Sequence, residues 1–138
     1  MSHTCDLYVA GRLVDSYHAD LGSQWMGSKL HRGDNTTPEG RYAIARKKGP
    51  SETKYYKALL LNYPNDDDRR RFALAKKNGE LSRGAAIGGL VEIHGHGGRG
   101  TDWTQGCVAL DNHDMDALYA KVGVGTPVTI VGMHGEAD

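Results

Sequence analysis

The stretch GLVEIHGHGGRGTDWTQGCVAL, Gly89 to Leu110, brings one cysteine and two histidines together with six glycines. Leu90-Val91-Glu92-Ile93 reads as a buried strand that ends at His94, and Val108-Ala109-Leu110 reads as a second apolar, strand-like segment entered from Gly106-Cys107. Glycines at 95, 97, 98 and 100 let the intervening loop fold tightly through dihedrals closed to other residues. The chain is thus expected to return beside the strand it left. Cys107 and His94 then stand where side chains are held by packing behind and open in front.

A cysteine needs its thiolate to attack a carbonyl, and an unperturbed thiol of pKa ~8.5 supplies only a few per cent of it at neutral pH. His94 is the candidate base, and an imidazolium beside the sulfur lowers a thiol pKa to roughly 4–7. The backbone N–H groups of Gly106 and Cys107, with the Gln105 amide or the Thr104 hydroxyl nearby, are candidate oxyanion donors. The competing reading is a structural cysteine buried beside a glycine-rich turn. His96 reads as an exposed loop histidine. Although His94 and His96 form an H-x-H pair, no third or fourth ligand falls at zinc-like spacing, so no metal or other cofactor is expected.

Outward from this stretch, 138 residues with 19 glycines and 38% hydrophobic content point to one turn-rich domain over 1–138, with its core from about 5 to 132. Asp6 to Ala10 and Arg12 to Ala19 read as a hairpin turning at Ala10-Gly11, with Cys5 buried at its start. The loop from Gly22 to Gly33 holds Trp25 and Met26, read as core packing. Thr37-Pro38-Glu39-Gly40 is a tight turn before a strand over Arg41–Arg46, and Tyr55 to Tyr63 reads as a further strand whose tyrosines either pack or wall a groove. Asn65 is the expected cap of a helix running to Asn78-Gly79. Its Arg69-Arg70-Arg71 run is expected to form a solvated face paired with Asp66-Asp67-Asp68. Asp111 or Asn112 caps a second helix with a core stripe of Met115, Leu118, Tyr119 and Val122, and Pro127 to Val131 is the last strand. The expected class is mainly β with about two short helices.

Seventeen basic residues balance seventeen acidic ones, so no net field draws the chain to nucleic acid or an anionic membrane. No apolar run is long enough for a membrane span, and no signal-peptide pattern stands at the start, which on its own suggests a cytoplasmic chain.

Ile93-His94-Gly95, the glycine-rich loop, Thr104-Gln105-Gly106-Cys107 and Leu118-Tyr119 before Gly125-Thr126-Pro127-Val128 resemble the L,D-transpeptidase catalytic-domain family of the YkuD type. Gly33-Asp34 and Thr36-Thr37-Pro38-Glu39-Gly40-Arg41-Tyr42 resemble that family's GD…TPEG.Y segment, and the likeness runs from about Leu7 to Ile130. The resemblance implies a β-sandwich fold and a location in the cell envelope or periplasm, with the export signal removed or another secretion route in use. It makes Cys107 the nucleophile and His94 the base oriented through the Gly95 carbonyl. Gly106 and Cys107 become oxyanion donors in this scheme.

The implied partners are peptidoglycan stem peptides, and wall-attached lipoprotein is a further candidate. The family commonly follows Ser-His-Gly-Cys with a hydrophobic residue and arginine, whereas Ala109 occupies the arginine position here and the loop from histidine to cysteine is short. These departures resemble the branch containing the murein-lipoprotein amidase. Arg99, Asp102, Trp103 and Thr104 are expected to border the substrate groove, with Arg99 a candidate replacement for the missing arginine. The readings carried forward are a thioester-forming transpeptidase, a carboxypeptidase or amidase of the same family, and a wall-binding module without activity.

Overall fold

A computed structural model describes residues 3–23, the backbone of 26–27, and residues 31–131. The first two strands, β1 (His3–Val9) and β2 (Arg12–Ala19), form the expected antiparallel hairpin. It turns through Ala10 and Gly11, both at positive φ, a turn whose twist matches that of the strands it joins. Two short segments, β3 (Met26–Gly27) and β4 (Thr37–Pro38), pair in parallel. Trp25 and the Met26 side chain, read above as core packing, lie outside the described residues.

The main sheet has the order β8-β7-β6-β5-β9, from β5 (Gly40–Lys48), β6 (Ala58–Leu61), β7 (Glu92–His94), β8 (Val108–Ala109) and β9 (Pro127–Ile130). Its pairs are antiparallel except β7 with β8, which run parallel. Two backbone bonds of 2.8 Å join Asp20 to Ala109 and carry the end of β2 onto the free edge of β8. Leu7, Tyr17 and Leu21 from the hairpin side thereby join Ile44, Leu59, Ile93, Leu110 and Met115 in one hydrophobic core. The result is a mainly β fold with two helices, as the sequence led one to expect.

Two strand expectations shift. The strand placed over Tyr55–Tyr63 shortens to β6, because Tyr56 adopts φ 76° and a left-handed residue cannot continue a ladder. The strand placed from Leu90 begins at Glu92 instead; Leu90 has φ 54° and a side chain 68% exposed.

The first helix, α1 (Asp66–Lys77), is capped by Asn65 as expected, and Asn65 and Asp68 exchange side-chain and backbone bonds in a capping box. Arg69, Arg70 and Arg71 pair with Asp66, Asp67 and Asp68. Asp68 does more than cap. Its carboxylate is buried and also accepts the Tyr42 hydroxyl at 2.9 Å, which ties the helix start to β5. Burial and the neighbouring Asp68 push the Tyr42 phenol well above its ordinary pKa. The second helix, α2 (Asn112–Lys121), is capped by Asp111 and buries Met115 and Leu118, with Tyr119 and Val122 packed at the core's margin. Lys47 of β5 donates to the Tyr119 and Val122 carbonyls at 2.6 and 2.8 Å, placing a cation at the negative end of α2.

Urea denaturation tests the two caps. Asn65→Ala is expected to cost about 1 kcal/mol, whereas Asp68→Ala, which strands the Tyr42 hydroxyl and the Arg71 guanidinium as well, is expected to cost about 3 kcal/mol.

Candidate active site

The register of the parallel pair sets Ile93 opposite Val108 and His94 opposite Ala109. Cys107, one residue earlier, falls beside Glu92, whose backbone N–H points at the sulfur with N···Sγ 3.4 Å. Glu92 and His94 are two apart on a strand and so share one face, on which Cys107 is their neighbour. Cys107, Glu92 and His94 all line a cavity of about 630 Å³.

Burial governs His94, which is only 2% exposed. Its Nδ1 lies 2.7 Å from the Gly95 carbonyl oxygen, and a carbonyl only accepts, so Nδ1 carries the proton and Nε2 keeps its lone pair. Desolvation by the surrounding protein lowers the imidazole pKa below its ordinary value, against the opposing effects of the Gly95 bond and the Glu92 charge. The ring is therefore a neutral base at physiological pH rather than a standing imidazolium. Tyr55 stacks on it with centroids 4.1 Å apart, and the Trp103 ring meets it at 6.0 Å edge-on.

The turn before Cys107 is held by threonine. The Thr104 hydroxyl donates to the Cys107 carbonyl at 2.7 Å and accepts the Gly106 N–H at 3.2 Å, while the Thr37 hydroxyl lies 3.5 Å from the same carbonyl. Gly106 has φ 130°, where a side chain is disfavoured. With its N–H donated to Thr104, Gly106 serves the turn in this state, and the Thr37-Pro38-Glu39-Gly40 segment reaches the site through Thr37.

Of the residues singled out from sequence, His94, Trp103, Thr104, Gln105, Gly106 and Cys107 line the cavity. Gly95 supplies the carbonyl beneath His94, and Arg99 and Asp102 face elsewhere. The Arg99 guanidinium lies 3.6 Å from the centre of the Trp103 ring, and its Nε donates to the His96 carbonyl. Asp102 accepts the Leu21 N–H at 2.9 Å and sits 2.9 Å from His3 Nε2, so it fastens the loop to the hairpin. Asp20, unmarked in the sequence reading, is the loop's main anchor: it is 5% exposed and accepts both the Trp103 indole N–H and the Arg99 backbone N–H.

Ala109 is fully buried, and its methyl supplies none of the charge that an arginine there would bring. The cations lining the cavity are instead Arg32, Lys48 and Lys54. Lys48 pairs with Glu92 at 2.7 Å. Sequence reading missed all four, and only Glu92 carried a local signal, its position two residues before His94. Cys5, by contrast, is raised to about 11 by burial and then by Asp6, which leaves it an inert thiol.

The mainly β fold thus brings a thiol just before β8 and a neutral imidazole at the end of β7 into one cavity. Residues 2–130 match the L,D-transpeptidase catalytic domain of the YkuD family, and the chain belongs to that family. Escherichia coli (strain K12) YafK, itself only provisionally named an L,D-transpeptidase, is 31% identical over 124 residues, covering 86% of this chain and 43% of YafK. The chain thus spans less than half the length of the curated relative it matches. The helical cell shape determining protein Pgp2 of Campylobacter jejuni superposes with TM-score 0.63 at 28% identity, over 86% of this chain and 38% of Pgp2. An L,D-transpeptidase from Mycobacterium smegmatis shares the fold, with TM-score 0.56 at 16% identity, over 94% of this chain and 54% of its own.

Two measurements follow from this geometry. A Cβ on Gly95 would lie 2.7 Å from both the Asn112 side-chain oxygen and the Tyr55 carbonyl, so Gly95→Ala is expected to destabilise the fold by about 2 kcal/mol in a thermal melt. Alkylation of Cys107 by iodoacetamide is expected to lose rate as His94 takes up a proton on acidification, with a midpoint below the ~6.5 of a free histidine. In His94→Ala that acid limb disappears, and labelling at neutral pH slows by about tenfold or more, rising only where free thiols ionise, near 8.5.

Proposed function

We propose that this chain is a cysteine acyl-transfer domain acting on peptidoglycan stem peptides in the cell envelope. The observation that carries the reading is the placement of Cys107 and His94 in one cavity, with the histidine tautomer set by Gly95 so that Nε2 is the basic nitrogen. His94 Nε2 removes the Cys107 thiol proton. The thiolate then attacks the amide carbonyl of a diamino-acid residue, and a tetrahedral oxyanion forms. Donors for that oxyanion are the Cys107 backbone N–H and the Gln105 amide, with Gly106 joining if Thr104 releases it. As the C–N bond breaks, the imidazolium returns its proton to the departing amine, leaving a thioester on Cys107.

The acceptor decides the product. An incoming amine, deprotonated by the now neutral His94, yields a new amide and frees the thiol; water yields a carboxylate. Three cations and one carboxylate among the charged lining residues suit a donor rich in carboxylates, as stem peptides are. Hydrolysis, including release of wall-attached lipoprotein, is the second reading. It is favoured by the buried Ala109 at the position where the family's cross-linking enzymes commonly carry arginine.

Incubating the protein with sacculi that bear attached lipoprotein, then resolving muropeptides by chromatography and mass spectrometry, tests the proposal. New cross-linked dimers are expected for transpeptidation, and shortened stems or freed lipoprotein for hydrolysis, each abolished in Cys107→Ala. Identical profiles from the two proteins would overturn the enzymatic reading in favour of wall binding. Arg32→Ala and Lys54→Ala are expected to raise KM for stem peptide about threefold to tenfold with kcat little changed, because rim charges act on capture more than on chemistry.

A further inference from the structure

Lys48 and Glu92 form an ion pair on the wall of the candidate active site, with side chains 14% and 8% exposed. Sheet register explains the meeting. Lys48 stands opposite Ala58, and Ala58 opposite His94, so Lys48 and His94 fall on one row across three strands and Glu92 lies on the same face two residues along. A pair so nearly buried adds little net stability, since desolvating both charges offsets their attraction. Its position beside Cys107 and His94 therefore asks for another explanation.

The pair is also incompletely used. Glu92 Oε2 takes the bond from Lys48, and Oε1 accepts none among the described residues. Oε1 is not sealed either, because Arg71 Nε is the buried side-chain nitrogen or oxygen without a partner among them. Lys48 Nζ spends one of its three protons on Glu92. What remains, facing the cavity, is one carboxylate oxygen next to two ammonium protons. A lone anion there would meet the Glu92 charge, and a lone cation would meet Lys48. A group carrying both charges a few ångströms apart satisfies both in an alternating ring.

We propose that Lys48 and Glu92 clamp an α-amino-acid zwitterion, Lys48 Nζ taking its carboxylate and Glu92 Oε1 its ammonium. The identity of the larger molecule rests on the acyl-transfer reading above. The zwitterion is either the free end of the diamino-acid side chain in a stem peptide or a free amino acid offered as acceptor.

The test uses the Cys107→Ala protein, which binds without reacting, and titrates it by calorimetry. The probes are a stem tetrapeptide with an intact zwitterionic side-chain end, the same peptide acetylated on that amine, and the same peptide amidated on that carboxylate. D-alanine, N-acetyl-D-alanine and D-alaninamide form a second set. Either cap is expected to weaken binding at least about tenfold, or about 1.4 kcal/mol. Adding Glu92→Gln is expected to erase the difference between intact and acetylated probes, and adding Lys48→Met the difference between intact and amidated ones.

If only the peptide set shows this pattern, the clamp holds the donor; if only the D-alanine set does, it holds an acceptor. Should no stem peptide bind while D-alanine binds with both cap penalties, the clamp stands and the stem-peptide reading falls. Caps without cost, or no binding of any zwitterionic probe, overturn the clamp. The cap comparison in the Cys107→Ala protein decides the matter even if the charge variants fail to fold.

Discussion

The hydrogen bond from Leu110 N–H to the His94 carbonyl, 2.8 Å long, closes the short parallel ladder on which the site depends. Two strands of three and two residues have little pairing energy of their own, and parallel neighbours joined by a loop must first meet the entropy of closing it. The protein meets it by making the loop part of the ladder. Gly97 N–H bonds the Leu110 carbonyl at 2.7 Å, at an approach so close that any Cβ on Gly97 would touch the Ala109 backbone at 2.6 Å. One residue out of register would place Cys107 on the opposite face from His94, since side chains alternate along a strand.

The hairpin completes what the ladder begins. Asp20 pairs with Ala109 through its backbone and holds the indole of Trp103 and the N–H of Arg99 with its carboxylate. Thr104 bonds Leu21 and Ser23 through its backbone while its hydroxyl grips the turn before Cys107. The N-terminal segment is thus a brace across the loop between His94 and Cys107. Polar groups buried here are satisfied by one another, which rigidifies the loop without an apolar core of its own. Left-handed backbone at Leu90 falls on the wall of the same cavity, and at Tyr56 it directly follows Tyr55, which lines it, as strained residues do at sites whose surroundings over-determine them.

Electrostatically the site divides its labour. Burial lowers the pKa of His94 and so favours its neutral form. Tyr55 covers one face of the ring, and the Gly95 carbonyl fixes which nitrogen is protonated. The exposed cations Arg32 and Lys54 give the mouth of the cavity a positive bias, while the covered Lys48–Glu92 pair is neutral overall and polar in detail. Such a pair discriminates by the arrangement of charge rather than its sum.

Local chemistry was legible in the sequence by itself. Ala10-Gly11 marked the hairpin turn and alternating polarity marked β5, Asn65 and the Asp111-Asn112 pair announced their helices, and glycine flanking a histidine and a cysteine pointed to the site. These are short-range rules, set by what a residue does to its own backbone. Strand ends were less legible, because the left-handed turns at Tyr56 and Leu90 occur at residue types that rarely adopt positive φ, and only their surroundings impose them. What the tertiary structure alone decided were the meetings across distance: Lys48 with Glu92 over 44 residues, Trp103 with Asp20 over 83, and Tyr55 with the ring of His94. Hydrophobic periodicity says which face of a strand is buried; it does not say which strand lies next to it or in what register, and that choice belongs to the packing of the whole chain.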